Sequence, residues 1–184
     1  MRHASLTLFV ALGVTACATK PPAPPAAPAP QSTAKSALVN LAPASGSLVS
    51  GRVMLAPMRD GVHLTGTIGG FQPGSVHGLH VHDKGDCSAA DASSAGGHFN
   101  PTASAHGRAG TATHHAGDMD NVTADGNGQV QLDIHLSNVT LGGGAANDIA
   151  NRALVVHAAA DDYMTQPSGN SGARVACGVI QVKG

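Results

Sequence analysis

The chain has 184 residues, ten Lys and Arg against eleven acidic residues, 11% charged side chains and 2% aromatics. That length suits one domain with appendages, and nearly cancelling charges argue against nucleic acid or an acidic substrate as a partner. Every acidic residue is Asp, and 24 glycines accompany them, a mixture that favours turns over helix interiors and points to an all-β class.

Residues 1–16 read as a signal peptide. Arg2 and His3 precede an apolar run from Leu6 to Ala16, too short to span a bilayer. It ends in Val14-Thr15-Ala16-Cys17, which resembles a bacterial lipobox, with cleavage before Cys17 and a lipid on its thiol. Then comes KPPAPPAAPAPQSTAK, Lys20 to Lys35. Its clustered prolines cannot pack a core and predict a polyproline II spacer reaching about 45 Å at ~3.1 Å per residue. Residues 17–35 are therefore expected to be a lipidated Cys and linker, and 36–184 a folded domain held clear of a membrane. With Cys17 lipidated, Cys87 and Cys177 remain, and an oxidising compartment should join them. Closing a loop of about 90 residues contributes roughly 4–5 kcal/mol in the chain-entropy model.

From Lys35 onward, short alternating runs with turn punctuation predict about eight strands. They are Ala37–Leu41, Leu48–Leu55, Val62–Ile68 (after the turn Arg59-Asp60-Gly61), Val76–His82, Asn121–Ala124, Gln129–Leu136 (after Asp125-Gly126-Asn127-Gly128), Ala153–His157 and Arg174–Val182. Such spacing predicts an eight-stranded antiparallel Greek-key barrel or sandwich. Asp83–Asp118 and Ala158–Ala173 interrupt it as two long loops, a length usually reserved for function.

The first long loop concentrates chemistry. His98, His106, His115 and Asp118 follow the spacing His-x₇-His-x₈-His-x₂-Asp. Three nitrogens and one oxygen satisfy a closed tetrahedral zinc site. His80-Val81-His82 sits at a strand end, where i, i+2 spacing puts both imidazoles on one face. His157 ends another strand, facing a loop. The remaining histidines have plainer readings: His3 in the signal peptide, His63 and His135 exposed on strands, His77 a hydrogen-bonded structural residue, His114 a solvent-facing neighbour of a ligand.

Five ordered motifs carry a family resemblance over residues 36–184. They are Gly78-Leu79-His80-Val81-His82, Gly96-Gly97-His98-Phe99-Asn100-Pro101, His115-Ala116-Gly117-Asp118, Ala153-Leu154-Val155-Val156-His157 and Gly169-Asn170-Ser171-Gly172-Ala173-Arg174-Val175-Ala176-Cys177-Gly178-Val179. The chain resembles copper/zinc superoxide dismutase of the bacterial exported type. The resemblance implies copper ligands His80, His82, His98 and His157. It implies zinc ligands His98, His106, His115 and Asp118, with His98 bridging. It also implies that Asp161 links a ligand histidine of each metal, that Arg174 guides superoxide at the copper mouth, and that Cys87 and Cys177 form the family's disulfide. Ser168 stands where many relatives carry Thr, and both supply a hydroxyl. The implied reaction turns superoxide into dioxygen and hydrogen peroxide by Cu(II)/Cu(I) cycling, with zinc structural. The chain would be a lipid-anchored enzyme of the bacterial periplasm or cell envelope. Dimer contacts vary in this family, which leaves a homodimer open. The rival reading is a lipid-anchored copper or zinc buffer or delivery protein without turnover.

Overall fold

The computed structural model describes residues 29–183. The expected signal peptide, Cys17 and most of the Pro-rich linker lie outside the described residues. Among the described residues ten strands form: β1 (Ser36–Pro43), β2 (Ser50–Met58), β3 (Gly61–Gly69), β4 (Val76–His77), β5 (Leu79–His82), β6 (Val122–Thr123), β7 (Gln129–Ser137), β8 (Ala153–His157), β9 (Arg174–Val179) and β10 (Gln181–Lys183). The class is all-β, as the composition suggests.

Alternation decides which side faces in. Val39 and Leu41 of β1, Val53 and Leu55 of β2, Leu64 and Ile68 of β3, and Val130 and Leu132 of β7 are buried. Their neighbours Asn40, Arg52, Met54, Thr65, Gln131 and Asp133 face solvent. A period of two therefore loads one face of the sheet with the core. Phe71, Phe99, Met119, Ile149 and Ile180 fill the same cluster.

The main sheet runs β5-β8-β9-β1-β2-β3-β7, with β10 also on β1. All these pairings are antiparallel. β1 turns the corner: Ser36 to Leu38 pair with β10, whereas Ala42 and Pro43 pair with Cys177 and Ala176 of β9. The sheet curls around the core without closing along its edges. Between β5 and β7 the gap is spanned by the two-residue pairing of β4 with β6. The expected barrel is thus a curled half-barrel.

Two expected strands are split. Gly78 divides β4 from β5, because its N–H donates to Ala159 O and its carbonyl accepts from His157 N. Ile180 divides β9 from β10, its N–H donating to Arg152 O. A third long connection, residues 138–152, is knotted by the Asp148 carboxylate, which accepts from the N–H groups of Gly142, Gly144 and Ala150. The expected linker is also shorter than its composition suggests. Thr33 and Ala34 donate N–H bonds to Leu141 O, and Ser32 Oγ accepts from Leu141 N. Packed chain therefore begins before Ser36.

β5 and β8 are buried along their whole lengths. Leu79, Val81, Leu154 and Val156 belong to the main core. The alternate residues of β8, Ala153 and Val155, pack outward with Ala44, Ala92, Ala95 and Cys177. The loop from Asp83 to Asp118 lies over that outer face, and small side chains let its backbone approach closely. A disulfide joins Cys87 in this loop to Cys177 in β9, with 5.7 Å between Cα atoms.

Candidate metal centre

His80 and His82 lie on the covered outer face of β5, and His157 ends β8. A register shift between Val156 and His157 sets His157 opposite Arg174. Each ring has one nitrogen committed to the protein. His82 Nδ1–H donates to Gly96 O at 2.9 Å, His157 Nδ1–H to Gly172 O at 3.3 Å, and His80 Nε2–H to Asp161 Oδ2 at 2.8 Å. Those bonds fix the tautomers and orient the rings. The other nitrogens then present lone pairs. His82 Nε2 and His157 Nε2 face each other at 3.3 Å, and His80 Nδ1 is buried without a hydrogen-bond partner. Burial pushes the imidazoles down, His80 to about 4, His82 to about 2 and His157 to about 3, with neighbouring histidine charge adding to the effect. They are neutral at pH 7, so a metal cation rather than a proton is the natural partner for these lone pairs.

The second group stands on the loop. Residues 97–99 and 117–118 run back beside β5: Phe99 N donates to Val81 O at 2.8 Å and Val81 N to Gly117 O at 2.9 Å. His98 and Asp118 thereby bridge to His82 and His80. Asp118 is wholly buried. It accepts from His98 Nδ1–H at 2.8 Å, from His115 N–H at 2.8 Å and from Gly107 N–H at 3.3 Å. Burial would raise its carboxyl, but the bonds from His98 and the His115 N–H outweigh that and hold it well below the usual carboxylate range. His106 Nδ1 lies 3.0 Å from Asp118 Oδ2 and His115 Nδ1 lies 3.3 Å from Oδ1. Neither contact has hydrogen-bond geometry. His106 donates its Nε2–H to Asp161 Oδ1 at 3.0 Å. Its Nδ1 therefore turns a lone pair toward a carboxylate oxygen, an arrangement that a cation between them makes favourable.

Asp161 ties the groups together, accepting from His80 and His106 and from Tyr163 N–H. Burial pushes its carboxyl up, yet these bonds bring it down to about 2. Asn121 pins it: Asn121 Nδ2 donates to Asp161 O and Asn121 Oδ1 accepts from Asp161 N, each at 2.8 Å. A Cβ on Gly169, which has φ +66°, would overlap Asp161 Oδ1, so glycine is required there.

Two four-residue groups result: His80, His82, His98 and His157, and His98, His106, His115 and Asp118. Within each, one donor atom per residue lies within 4.8 Å of the rest. Four imidazoles suit copper, and three imidazoles with a carboxylate suit zinc. His98 belongs to both, its Nδ1 beside Asp118 and its Nε2 buried and unpartnered.

A cavity of about 350 Å³ opens onto His82, His98 and His157, with Asn100, Ser168 and Arg174 in its wall. Arg174 is aimed by two 2.6 Å bonds, from Nη1 to Ala92 O and from Nη2 to Gly96 O. A larger groove of about 710 Å³ between β7 and residues 109–123 touches only Asp118 of the two groups, so the smaller cavity is the one beside the candidate chemistry.

The other histidines among the described residues have ordinary partners. His63 pairs with Asp133 at 2.6 Å and His135 with Asp60 at 3.2 Å on the exposed face. His77 Nδ1–H donates to His157 O at 2.8 Å, and His114 Nδ1–H to His115 O at 2.7 Å. Sequence reasoning missed the carbonyls of Gly96 and Gly172, the pin at Asn121, and Gln166, which clasps the His106 backbone through two 2.9 Å bonds. Backbone acceptors leave no side-chain pattern to find.

Comparison with known proteins agrees with this geometry. The family model described as copper/zinc superoxide dismutase (SODC) matches residues 49–180. The chain is 35% identical over 183 residues to "Superoxide dismutase-like protein YojM" of Bacillus subtilis (strain 168), covering 95% of this chain and 93% of that one. It is 38% identical over 136 residues to "Superoxide dismutase [Cu-Zn] 2" of Aquifex aeolicus (strain VF5), covering 72% and 80%. Among solved structures, the clock protein EA4 superposes with a TM-score of 0.73 at 36% identity, covering 83% of this chain and 97% of that one. A SOD-like protein from Bacillus subtilis gives 0.70 at 34%, covering 78% and 97%. The chain belongs to the copper/zinc superoxide dismutase family.

Proposed function

We propose that the protein is a superoxide dismutase, converting superoxide into dioxygen and hydrogen peroxide. His80, His82, His98 and His157 would hold copper, and His98, His106, His115 and Asp118 zinc. One observation carries this reading. Four buried ring nitrogens, His80 Nδ1, His98 Nε2, His106 Nδ1 and His115 Nδ1, have no hydrogen-bond partner, and all four residues fall in the two groups. Buried polar atoms are rarely left so, and a metal ion at each group explains them together. Bound copper would supply one-electron chemistry between Cu(II) and Cu(I), while zinc supplies charge and order without redox change.

The chain's own residues do the rest. Gly96, Gly172 and Asp161 hold three rings in one tautomer, so their donor nitrogens are ready without rearrangement. His98 can take up and return a proton at Nε2 while Nδ1 stays on the Asp118 side. Arg174 presents a fixed positive charge in the cavity wall to a small anion. After Cys17 there are nine basic and eleven acidic residues, so attraction must come from this local field rather than net charge.

The reading includes location. The lipobox-like Val14–Cys17 and the Pro-rich stretch support a lipoprotein tethered in a bacterial periplasm or envelope, and the disulfide fits an oxidising compartment. Metal analysis beside a superoxide-consumption assay tests the activity. Copper and zinc in equal amounts, with consumption that tracks copper, is the expected result. Bound metals without consumption would favour the buffer or delivery reading.

A further inference from the structure

Arg152 is the residue before β8 and belongs to neither metal group. Its guanidinium makes four contacts with three separate segments. Nε donates to Asp148 O at 2.8 Å. Nη1 donates to Asp83 O at 2.6 Å and to Asp83 Oδ1 at 2.8 Å. The guanidinium carbon lies 3.7 Å from the centroid of the Phe99 ring, and that ring is 1% exposed. Asp83 directly follows His82, and Phe99 directly follows His98. One planar group thus grips the residues next to two histidines that arrive from different parts of the chain.

We propose that Arg152 is a positioning residue for the copper-side group, holding His82 and His98 at a fixed spacing through Asp83 and Phe99. The proposal rests on the copper reading above. Successive residues of an extended segment point to opposite sides. A hand on Phe99 from the core side therefore sets where His98 emerges on the other. The same holds for Asp83 and the end of β5. The task suits arginine: two nitrogens of its fork, Nε and Nη1, reach Asp148 and Asp83 while its face stacks on an aromatic ring. Lysine offers the charge but neither the plane nor the fork. The bonds also tie the 138–152 connection, through Asp148, to the loop that carries the second group.

The effect should be unequal between the metals. Two of the four copper-side residues adjoin the clamp, His82 and His98, but only His98 of the zinc-side four. Full-length protein loaded with copper and zinc, as wild type, Arg152→Gln and Arg152→Lys, provides the test. Arg152→Gln should weaken copper binding about 10–100-fold, the range found when groups supporting metal ligands are removed. Zinc binding should weaken less, and the Cu(II) hyperfine splitting in electron paramagnetic resonance should change. Arg152→Lys should recover melting temperature without recovering the wild-type copper spectrum. A lower melting temperature with unchanged copper affinity and spectrum would reduce Arg152 to scaffold and overturn the proposal. If Arg152→Gln does not fold, Asp83→Ala removes one acceptor alone. It should shift the copper spectrum in the same direction, and an unchanged spectrum would again overturn the proposal. If the wild type takes up no copper, the proposed function fails instead. The clamp is then read in metal-free protein from the ring nitrogen resonances of His82 and His98, which Arg152→Gln should move; static resonances would overturn it.

Discussion

The two halves of the candidate centre are built on different supports. His80, His82 and His157 stand on β5 and β8, strands paired residue for residue and buried throughout. His106, His115 and Asp118 stand on a loop whose order comes from Asp118, Asp161 and the Cys87–Cys177 disulfide. A strand-borne group is organised when the sheet folds, so an ion finds it ready. A loop-borne group lacks that ladder, so what it binds contributes more to its order. On the proposed function, copper on the first would be free to do chemistry, while zinc on the second would do structural work. His98 joins the two.

The largest break in this contrast should come from Cys87→Ser. Releasing the loop from β9 should lower stability by about 4–5 kcal/mol, measured by urea unfolding. Zinc retention should suffer more than copper retention. Unchanged stability would mean that the disulfide does not pin the loop. Asp118→Ala comes next. It strips the buried acceptor from His98 and from the Gly107 and His115 amides, a loss costing about 1–3 kcal/mol for each buried donor left unpaired. Zinc should no longer be retained on dialysis, while His80, His82 and His157 still bind copper. Equal loss of both metals would erase the distinction between the groups.

Much of this centre was legible in the sequence, for reasons tied to particular residues. Residue types able to hold a metal are chemically loud. His80-Val81-His82 and the spacing from His98 to Asp118 survive in one dimension because each set is local. The sheet was legible where one face is wet, as at Gln129–Leu136, since alternation needs two environments. It was less legible where both faces are dry. Val76–His82 read as one strand because nothing in the pattern shows that Gly78 leaves the ladder to meet Ala159 and His157. The docking of Ser32 to Ala34 on Leu141 was hidden by the prolines before it. Arg152 gave no signal at all, because its partners are Phe99, Asp83 and a carbonyl brought close only by the fold.

Metal removal sharpens the contrast without a mutation. A metal present at a hundred times its dissociation constant contributes about 2.7 kcal/mol. Chelation should therefore speed amide exchange in residues 98–118 by about a hundredfold through local opening, while β8 amides stay protected. Uniform acceleration would contradict a loop-borne zinc group. The smallest structural effect should come from Arg174→Ala. Both metals and the fold should remain while superoxide consumption falls. The wild-type rate should also drop with added salt if Arg174 steers the anion electrostatically. An unchanged rate at full copper occupancy would remove Arg174 from the mechanism.

The sharing of His98 between the groups is tested most directly by loading Cu(II) into both and recording the electron paramagnetic resonance spectrum. If Nδ1 serves one ion and Nε2 the other, the two spins couple through the ring. The ordinary separate copper signals then disappear, returning in His98→Ala but not in His114→Ala. Two independent copper signals in the wild-type protein would contradict a shared histidine.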